Sequence, residues 1–254
     1  MNTQDKIAAM TEGGAILSKI LTEALSHTTA GMTTATIEQR IAHEMDAAGA
    51  QPSFKTVNHY PYYSCVGLNT EVVHSLPNPK KVIKKGDLVK IDTGLIWQGW
   101  HTDMSWTAQI DQNGKTVFDT DFLIAGKLAL KEAICQCRLG NHIGDISQAI
   151  ENRIVSFGYQ VVKQLTGHCI GKKLHEKPYI PGYLSQEINQ TPELTTGMTL
   201  AIEIIYSQGN GRIVIENDGW TISTQDAKMS ALFEQTVAIT NDSPLILTPI
   251  PAGF

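Results

Sequence analysis

The sequence predicts an α+β fold in one domain spanning residues 1–254. Patterns of helices and strands occur in the order helix, helix, strands, and the same order recurs in the second half of the chain. Such a duplication indicates two similar halves that share one sheet. The 254 residues are 42% hydrophobic, enough to bury a full core, and no low-complexity linker divides the halves.

Four helices are predicted from apolar spacing and from the residues at their ends. The first covers residues 5–27, where the pair Gly13-Gly14 either weakens the helix or lets another backbone approach closely. The second covers residues 34–48 and stops at Gly49. The third covers residues 119–139, and the fourth starts with Asp145 as its N-cap and runs to residue 157.

Strands are predicted where β-branched and aromatic residues cluster between turn residues. In the first half they include residues 63–68 and 70–74, followed by a hairpin around Asp92 and Asp103. In the second half they are residues 159–165, 199–206, 212–216, 220–223 and 232–240.

The hairpin carries the first chemical signal. Asp92 and Asp103 interrupt two strand-like runs, and Gln98-Gly99 lies between them as a turn candidate. Pairing Asp92 directly with Asp103 centres the turn between Trp97 and Gln98 and places the Cβ atoms about 4.5–5.5 Å apart on one face. Two carboxylates so close repel unless protons or cations lie between them.

Three more side chains in the second half have unusual surroundings. His168 lies between glycines, and Glu203 and Glu234 each stand in an otherwise apolar strand. A carboxylate on a strand most often points outward to solvent. For Glu203 this is less convincing, because its neighbours on both faces are apolar and burying it unpaired costs several kcal/mol.

Together these five residues offer four carboxylates and one imidazole. Oxygen ligands with one nitrogen suit Mn, Fe, Co or Zn, and four carboxylates favour two ions about 3.5–4 Å apart. Such a pair would polarise a carbonyl and lower the pKa of a water, so hydrolysis of an amide or ester is expected. A nucleophilic serine is not indicated, since no Gly-x-Ser-x-Gly motif is present, and Cys169 beside His168 is poorly placed for a dyad.

The overall composition limits the classes of partner that are expected. The net charge is −5 without a dense basic cluster, which argues against nucleic acid, and no apolar run reaches the length of a membrane span. The four cysteines do not require an oxidising compartment, so a cytoplasmic protein is expected. Seven short stretches then carry a family resemblance: 69–74, 91–92 with 99–103, 167–171, 175–178, 202–203, 218–221 and 230–234.

In these stretches, and across nearly its whole length, the chain resembles the type I methionine aminopeptidases of the pita-bread metallopeptidases. The resemblance implies a curved antiparallel sheet backed by two pairs of helices, with pseudo-twofold halves. It also implies that the five residues bind two metal ions. Asp92 would chelate one ion, Asp103 and Glu234 would bridge, and His168 and Glu203 would complete the other.

The resemblance implies further roles at the same site. Glu203 would also shuttle the proton of the attacking water, His74 would contact the scissile amide, and His175 would stabilise the oxyanion. A methionine pocket would be walled by Tyr60, Cys65 and Trp220, with Phe54 and Leu174 as further candidates. The chain departs from the family at Cys169, Ile204 and Gln235, none of which is an implied ligand.

The expected function is removal of the initiator methionine from nascent proteins whose second residue is small. The expected partner is the N-terminal peptide of such a protein, the ribosome is a candidate partner, and a monomer is expected. Two alternatives remain open: an Xaa-Pro peptidase or dipeptidase of the same fold, and a non-catalytic binding protein on that fold.

Overall fold

The computed structural model of the chain describes residues 3–250 and 253–254. Within that part, four α-helices pack against one face of a large antiparallel sheet. They are α1 (Thr3–His27), α2 (Thr34–Ala47), α3 (Asp121–Cys135) and α4 (Ile143–Ser156). The predicted domain of residues 1–254 includes residues 1–2 and 251–252, which lie outside the described residues.

The strands follow each helix pair in the chain, as the duplicated pattern predicts. The first half contains β1 (Gln51–Pro52), β2 (Ser64–Leu68), β3 (Glu71–Val73), β4 (Leu88–Trp97), β5 (Trp100–Ile110) and β6 (Thr116–Val117). The second half contains β7 (Gln160–Val161), β8 (Thr166–Cys169), β9 (Glu176–Pro181), β10 (Thr199–Ser207), β11 (Ile213–Ile215), β12 (Ile222–Thr224), β13 (Ser230–Ala238) and β14 (Leu245–Ile246).

The large sheet joins the two halves at its centre. Its strand order is β1-β4-β5-β13-β10-β8-β9, and the short strands β2, β6, β7 and β14 pair at its margins. β4 and β5 belong to the first half and β13 and β10 to the second, so the β5–β13 pair is the junction. The predicted α+β fold, with a shared antiparallel sheet and two helix pairs, is confirmed. A separate small sheet has the order β11-β12-β3.

In each helix pair, glycines of one helix allow that helix to lie close to the strands or to the chain that follows them. A Cβ on Gly13 would lie 2.8 Å from Trp97 Cβ, and one on Gly14 only 2.0 Å from the carbonyl oxygen of Leu247. In α3, a Cβ on Gly126 would lie 2.4 Å from the Phe233 ring. The predicted close approach at Gly13-Gly14 is therefore present, and a matching one exists in the other half.

The helix-facing side of the sheet is the hydrophobic core. Alternate residues of the central strands, including Ile91, Met104, Ile202 and Phe233, are fully buried there against the helices. Since successive strand residues point to opposite faces, the intervening positions point away from the helices. Those positions carry the acidic residues. None of the described helices is long and apolar enough to cross a membrane.

The predicted register of the β4–β5 hairpin is wrong by two residues. Trp97 pairs with Trp100, so the turn is Gln98-Gly99, and both residues have positive φ, 50° and 77°. A two-residue hairpin turn of type I′ requires that conformation. Asp92 consequently faces Ser105. Because the error is an even number of residues, the two aspartates still share one face.

Two local predictions in the second half are also wrong. Helix α4 begins at Ile143, and the carboxylate of Asp145 accepts a hydrogen bond of 2.7 Å from the backbone nitrogen of His142. Asp145 thus supports the helix start from inside the first turn instead of being its N-cap. The sequence patterns predict no strand directly after His175, yet that segment forms β9 at the sheet edge, where proline is tolerated.

Candidate metal centre

Three acidic residues lie in one row across the four central strands. Asp92 on β4 pairs with Ser105 on β5, Ser105 pairs with Glu234 on β13, and Glu234 pairs with Glu203 on β10. Residues paired across neighbouring strands point to the same face. The register alone therefore brings together carboxylates from positions far apart in the chain.

The other two predicted ligands occupy adjacent rows on the same face. Asp103 lies two residues before Ser105 on β5, and His168 on β8 pairs with Ala201, two residues before Glu203. One ligand atom from each of Asp103, His168 and Glu234 lies within 4.8 Å of the other two. Nε2 of His168 lies 3.4 Å from Oε1 of Glu203.

The donor atoms have the properties of metal ligands. Oδ1 of Asp92 and Oε1 of Glu234 are buried and have no hydrogen-bond partner, which is costly for a carboxylate unless a cation binds it. Nδ1 of His168 lies 3.0 Å from the carbonyl oxygen of Cys169. That contact places the proton on Nδ1 and leaves the Nε2 lone pair free toward the acidic cluster. The residues present therefore fit divalent metal.

Burial and mutual repulsion perturb the titration of the cluster. Burial first, and then the neighbouring carboxylates, raises the pKa values of Asp92, Glu203 and Glu234 well above their usual range. Burial also raises the pKa of Asp103 to about 7 and lowers that of His168 to about 4. The negative charge of these four buried carboxylates must be neutralised by protons or, at neutral pH, by metal.

Gly94 provides the space that Asp103 occupies. It is the cross-strand partner of Asp103, and a Cβ added to it would lie 3.1 Å from Asp103 Oδ1 and 3.0 Å from the carbonyl oxygen of Thr102. Gly94 belongs to β4 and faces the cluster, so a larger side chain would compete with the carboxylate for the same volume.

A cavity of about 620 Å³, including its open mouth, lies over the cluster. The ten predicted site residues all line it, together with the two further pocket candidates Phe54 and Leu174. Sequence reasoning missed Val57 and Val73, whose apolar side chains resemble ordinary core residues. The lining residues are Phe54, Val57, Tyr60, Cys65, Val73, His74, Asp92, Asp103, His168, Leu174, His175, Glu203, Trp220 and Glu234.

Two histidines flank the acidic cluster. The ring of His175 stacks edge-on against that of His168, with centroids 4.5 Å apart. His74 follows β3 directly and has a positive φ of 56°. Both side chains keep surface open to the cavity, while the surrounding protein lowers the pKa of each imidazole; His175 adds to the effect on His74. Both shifts favour the neutral imidazole.

The rest of the cavity is an apolar pocket built around Tyr60. Its ring packs edge-on against Trp220 at 5.1 Å and Phe54 at 6.3 Å. Its hydroxyl donates to the carbonyl oxygen of Ser64 at 2.9 Å and lies 3.0 Å from the Cys65 sulfur. Rings beside sulfur suit an unbranched apolar side chain, including a thioether.

The three positions that depart from the family lie away from the cavity lining. The Cys169 thiol is buried and has its pKa raised to about 11 by that burial, so it is not a nucleophile at neutral pH. Gln235 donates to the carbonyl oxygen of Thr248 at 2.7 Å, and Ile204 belongs to the core against the helices. His101, also outside the lining, lies 3.0 Å from Ser53 Oγ through its Nδ1.

Comparisons with known proteins agree with this geometry. Residues 8–241 match the model of metallopeptidase family M24. The chain is 34% identical to a methionine aminopeptidase of Aquifex aeolicus, and the match covers 98% of both chains. It is 33% identical to methionine aminopeptidase 1 of Bacillus subtilis, again over 98% of each.

Solved structures give the same result. The methionine aminopeptidase of Thermotoga maritima superimposes with a TM-score of 0.90 at 35% identity, covering 96% of each chain. The prolidase of Pyrococcus furiosus superimposes with a TM-score of 0.75 at 20% identity, covering 97% of this chain and 64% of that one. The prolidase likeness concerns the fold alone.

Proposed function

The chain belongs to metallopeptidase family M24, and from that premise we propose that it removes N-terminal methionine from proteins whose second residue is small. The observation that carries the proposal is the single cavity in which a cluster of metal-ligand donors meets an apolar, sulfur- and ring-lined pocket. The names of the relatives at 33–34% identity support the same substrate.

We propose that five side chains hold two divalent ions, and that these are Co, Mn, Fe or Zn. The support is the donor set itself, since four carboxylates exceed the charge that one divalent ion needs and an imidazole disfavours Ca and Mg. When bound, such ions supply Lewis-acid chemistry at a carbonyl and at a water. The five side chains are Asp92, Asp103, His168, Glu203 and Glu234.

The chain's own residues divide the remaining work. Glu203, with its side chain only 14% exposed, faces the cavity beside His168, and its carboxylate is the group that we assign to proton transfer. His74 and His175 are neutral, so each can donate one hydrogen bond, to the scissile amide and to the oxyanion respectively. The methionine side chain would contact Tyr60, Cys65 and Trp220.

The cellular setting follows from the substrate. We propose a cytoplasmic monomer that meets the N-termini of nascent proteins, with the ribosome as a candidate partner. We also propose that residues 1–254 form one catalytic domain, because the pairing of β5 with β13 makes the two halves depend on each other.

A peptide panel tests the substrate assignment. With Mn(II) or Co(II) present, we expect release of methionine from Met-Ala-Ser, little release from Met-Trp-Ser, and no cleavage of Ala-Pro. The matched variant His168→Ala should be inactive on all three. Cleavage of Ala-Pro with Met-Ala-Ser left intact would instead identify an Xaa-Pro peptidase, and inactivity without bound metal would identify a binding protein.

A further inference from the structure

We propose that Lys90 is a positioning residue whose buried Nζ clasps the segment Asn69–His74 to the large sheet and so fixes the imidazole of His74 over the metal centre. The inference rests on the role proposed above for His74. It concerns a lysine that does not line the main cavity and to which the mechanism assigns no task.

Lys90 is unusual among the lysines because it is only 2% exposed. It lies on β4, two residues before Asp92 and on the same face of the sheet. Burial lowers the pKa of the Lys90 amine to about 7, and its N–H groups need acceptors whether the amine is charged or neutral. Its Nζ donates to the carbonyl oxygen of Asn69 at 2.9 Å and to that of Ser230 at 3.0 Å. The carboxylate whose charge raises the pKa of Lys90, Glu71, forms its ion pair with Lys81 at 2.6 Å.

The clasp joins three parts of the structure at one point. Asn69 begins the segment that carries His74, Ser230 begins β13, and Lys90 belongs to β4. The Ser230 hydroxyl adds to the junction, because its Oγ lies 3.1 Å from the carbonyl oxygens of both Asn69 and Glu71. The Asn69 carbonyl oxygen also accepts a backbone hydrogen bond of 3.0 Å from Ser230, and without Lys90 Nζ the carbonyl oxygens of Asn69 and Ser230 would lose a donor that they share.

The path from this junction to His74 is short and bent. Asn69 and His74 both have positive φ, 52° and 56°, and only the three-residue strand β3 and Thr70 lie between them. A non-glycine residue holds that conformation only when its surroundings fix it. Lys90 also lines a small space of about 170 Å³ together with His74 and Asp92. A shift at Asn69 is therefore transmitted directly to the imidazole.

Steady-state kinetics of the metal-loaded protein on Met-Ala-Ser test the proposal through a double-mutant cycle. We expect Lys90→Met to lower kcat between about tenfold and a hundredfold, the range for a catalytic group displaced by about 1 Å, with KM little changed. In the His74→Ala background, Lys90→Met should cause no further loss. The exposed-lysine control Lys84→Met should leave kcat unchanged.

Metal content and thermal melts of each variant separate positioning from general stability. We expect Lys90→Met to keep its full metal content. Losses that multiply in the double mutant, a loss of metal, or an unchanged kcat would each overturn the clasp. If His74→Ala itself is fully active, the role of His74 fails and the clasp fails with it, whereas the methionine-release assay on the unmodified protein is unaffected.

Should Lys90→Met fail to fold, Ser230→Ala gives the same test with a smaller change. It removes one hydroxyl from the junction and leaves Lys90 Nζ in place. We expect a kcat lowered several-fold, again without further loss in the His74→Ala background. If Ser230→Ala lowered kcat further in the His74→Ala background, the proposal would be contradicted, just as it would be by a further loss from Lys90→Met.

Discussion

The acidic residues of the centre are buried where ordinary carboxylates would be unstable. Asp103 and Glu234 are 4% and 2% exposed, and one oxygen of Glu234 has no hydrogen-bond partner. A residue in such a place is retained for function at the expense of stability. Glu203 shows the same property in the sequence, where it stands as a single carboxylate among apolar residues.

Removing one of these charges should therefore stabilise the metal-free protein. Burial raises the pKa of Asp103 to about 7, so its ionised form opposes folding at pH 7.5. We expect Asp103→Asn to raise the unfolding free energy of the EDTA-treated protein by on the order of 1–3 kcal/mol while abolishing methionine release. Urea titration with EDTA present measures the change.

The matched control for that variant is Asp242→Asn, which changes an exposed aspartate. Its effect on the unfolding free energy should stay within about 0.5 kcal/mol. If Asp103→Asn destabilised the metal-free protein, the carboxylate would be held by protein contacts, and the fit to metal would lose its main support.

The methionine pocket depends on the contact between Trp220 and Tyr60. Their rings lie 5.1 Å apart, and an aromatic pair of this kind contributes about 0.5–1.5 kcal/mol. We expect Trp220→Ala to lower kcat/KM for Met-Ala-Ser about three- to tenfold, mainly by raising KM, with unchanged metal content. Tyr183→Ala, which removes a ring outside the cavity lining, is the control. An unchanged KM would remove Trp220 from the pocket.

At the scale of elements, the β4–β5 hairpin shows what sequence reasoning could and could not reach. The alternation of apolar and polar residues fixes which face each aspartate occupies, and that prediction holds. The register does not follow from alternation, because a shift of two residues preserves every face. The turn candidate Gln98-Gly99 is the turn that forms, but pairing Asp92 directly with Asp103 centred the turn one position too early, between Trp97 and Gln98.

The same turn gives a prediction about stability. Gln98 adopts a φ of 50°, a conformation that asparagine tolerates better. We expect Gln98→Asn to raise the unfolding free energy by about 1 kcal/mol, measured by urea titration. The Gln98 side chain also donates to Glu12 at 3.0 Å, so Gln98→Ala, which loses that bond and keeps the strain, should be destabilising. A destabilised Gln98→Asn would mean that the bond to Glu12 outweighs the strain.

At the scale of the molecule, the centre exists only because the two halves share a sheet. Asp92 and Asp103 come from the first half and Glu203 and Glu234 from the second, and the β5–β13 pair sets them side by side. The duplicated helix and strand pattern predicts both halves but not the pairing between them. That pairing joins strands more than a hundred residues apart, and the family resemblance supplied what periodicity could not.

Metal removal should give the whole molecule an inverted pH dependence. The raised pKa values of the cluster mean that the folded protein holds protons more tightly than the unfolded chain. Their contribution to stability is therefore complete below about pH 4 and is lost as the pH rises through about 7. The lowered pKa values of His74, His101, His168 and His175 act in the opposite sense below about pH 6.5. We therefore expect the melting temperature of EDTA-treated protein to fall as the pH rises from about 6.5 to about 8, and added Mn(II) to restore it at pH 7.5. A melting temperature that rises with pH, or that does not respond to Mn(II), would contradict the claim that the ionised cluster destabilises the metal-free protein.

The central claim is that the protein hydrolyses the peptide bond after an N-terminal methionine only when the acidic cluster holds metal. The most direct measurement is the rate of methionine release from Met-Ala-Ser as Mn(II) is titrated into the metal-stripped protein. We predict no measurable release from the stripped protein, a rate that rises and saturates with Mn(II), and no response in His168→Ala. Full turnover by the stripped protein, or a normal response in His168→Ala, would contradict the claim.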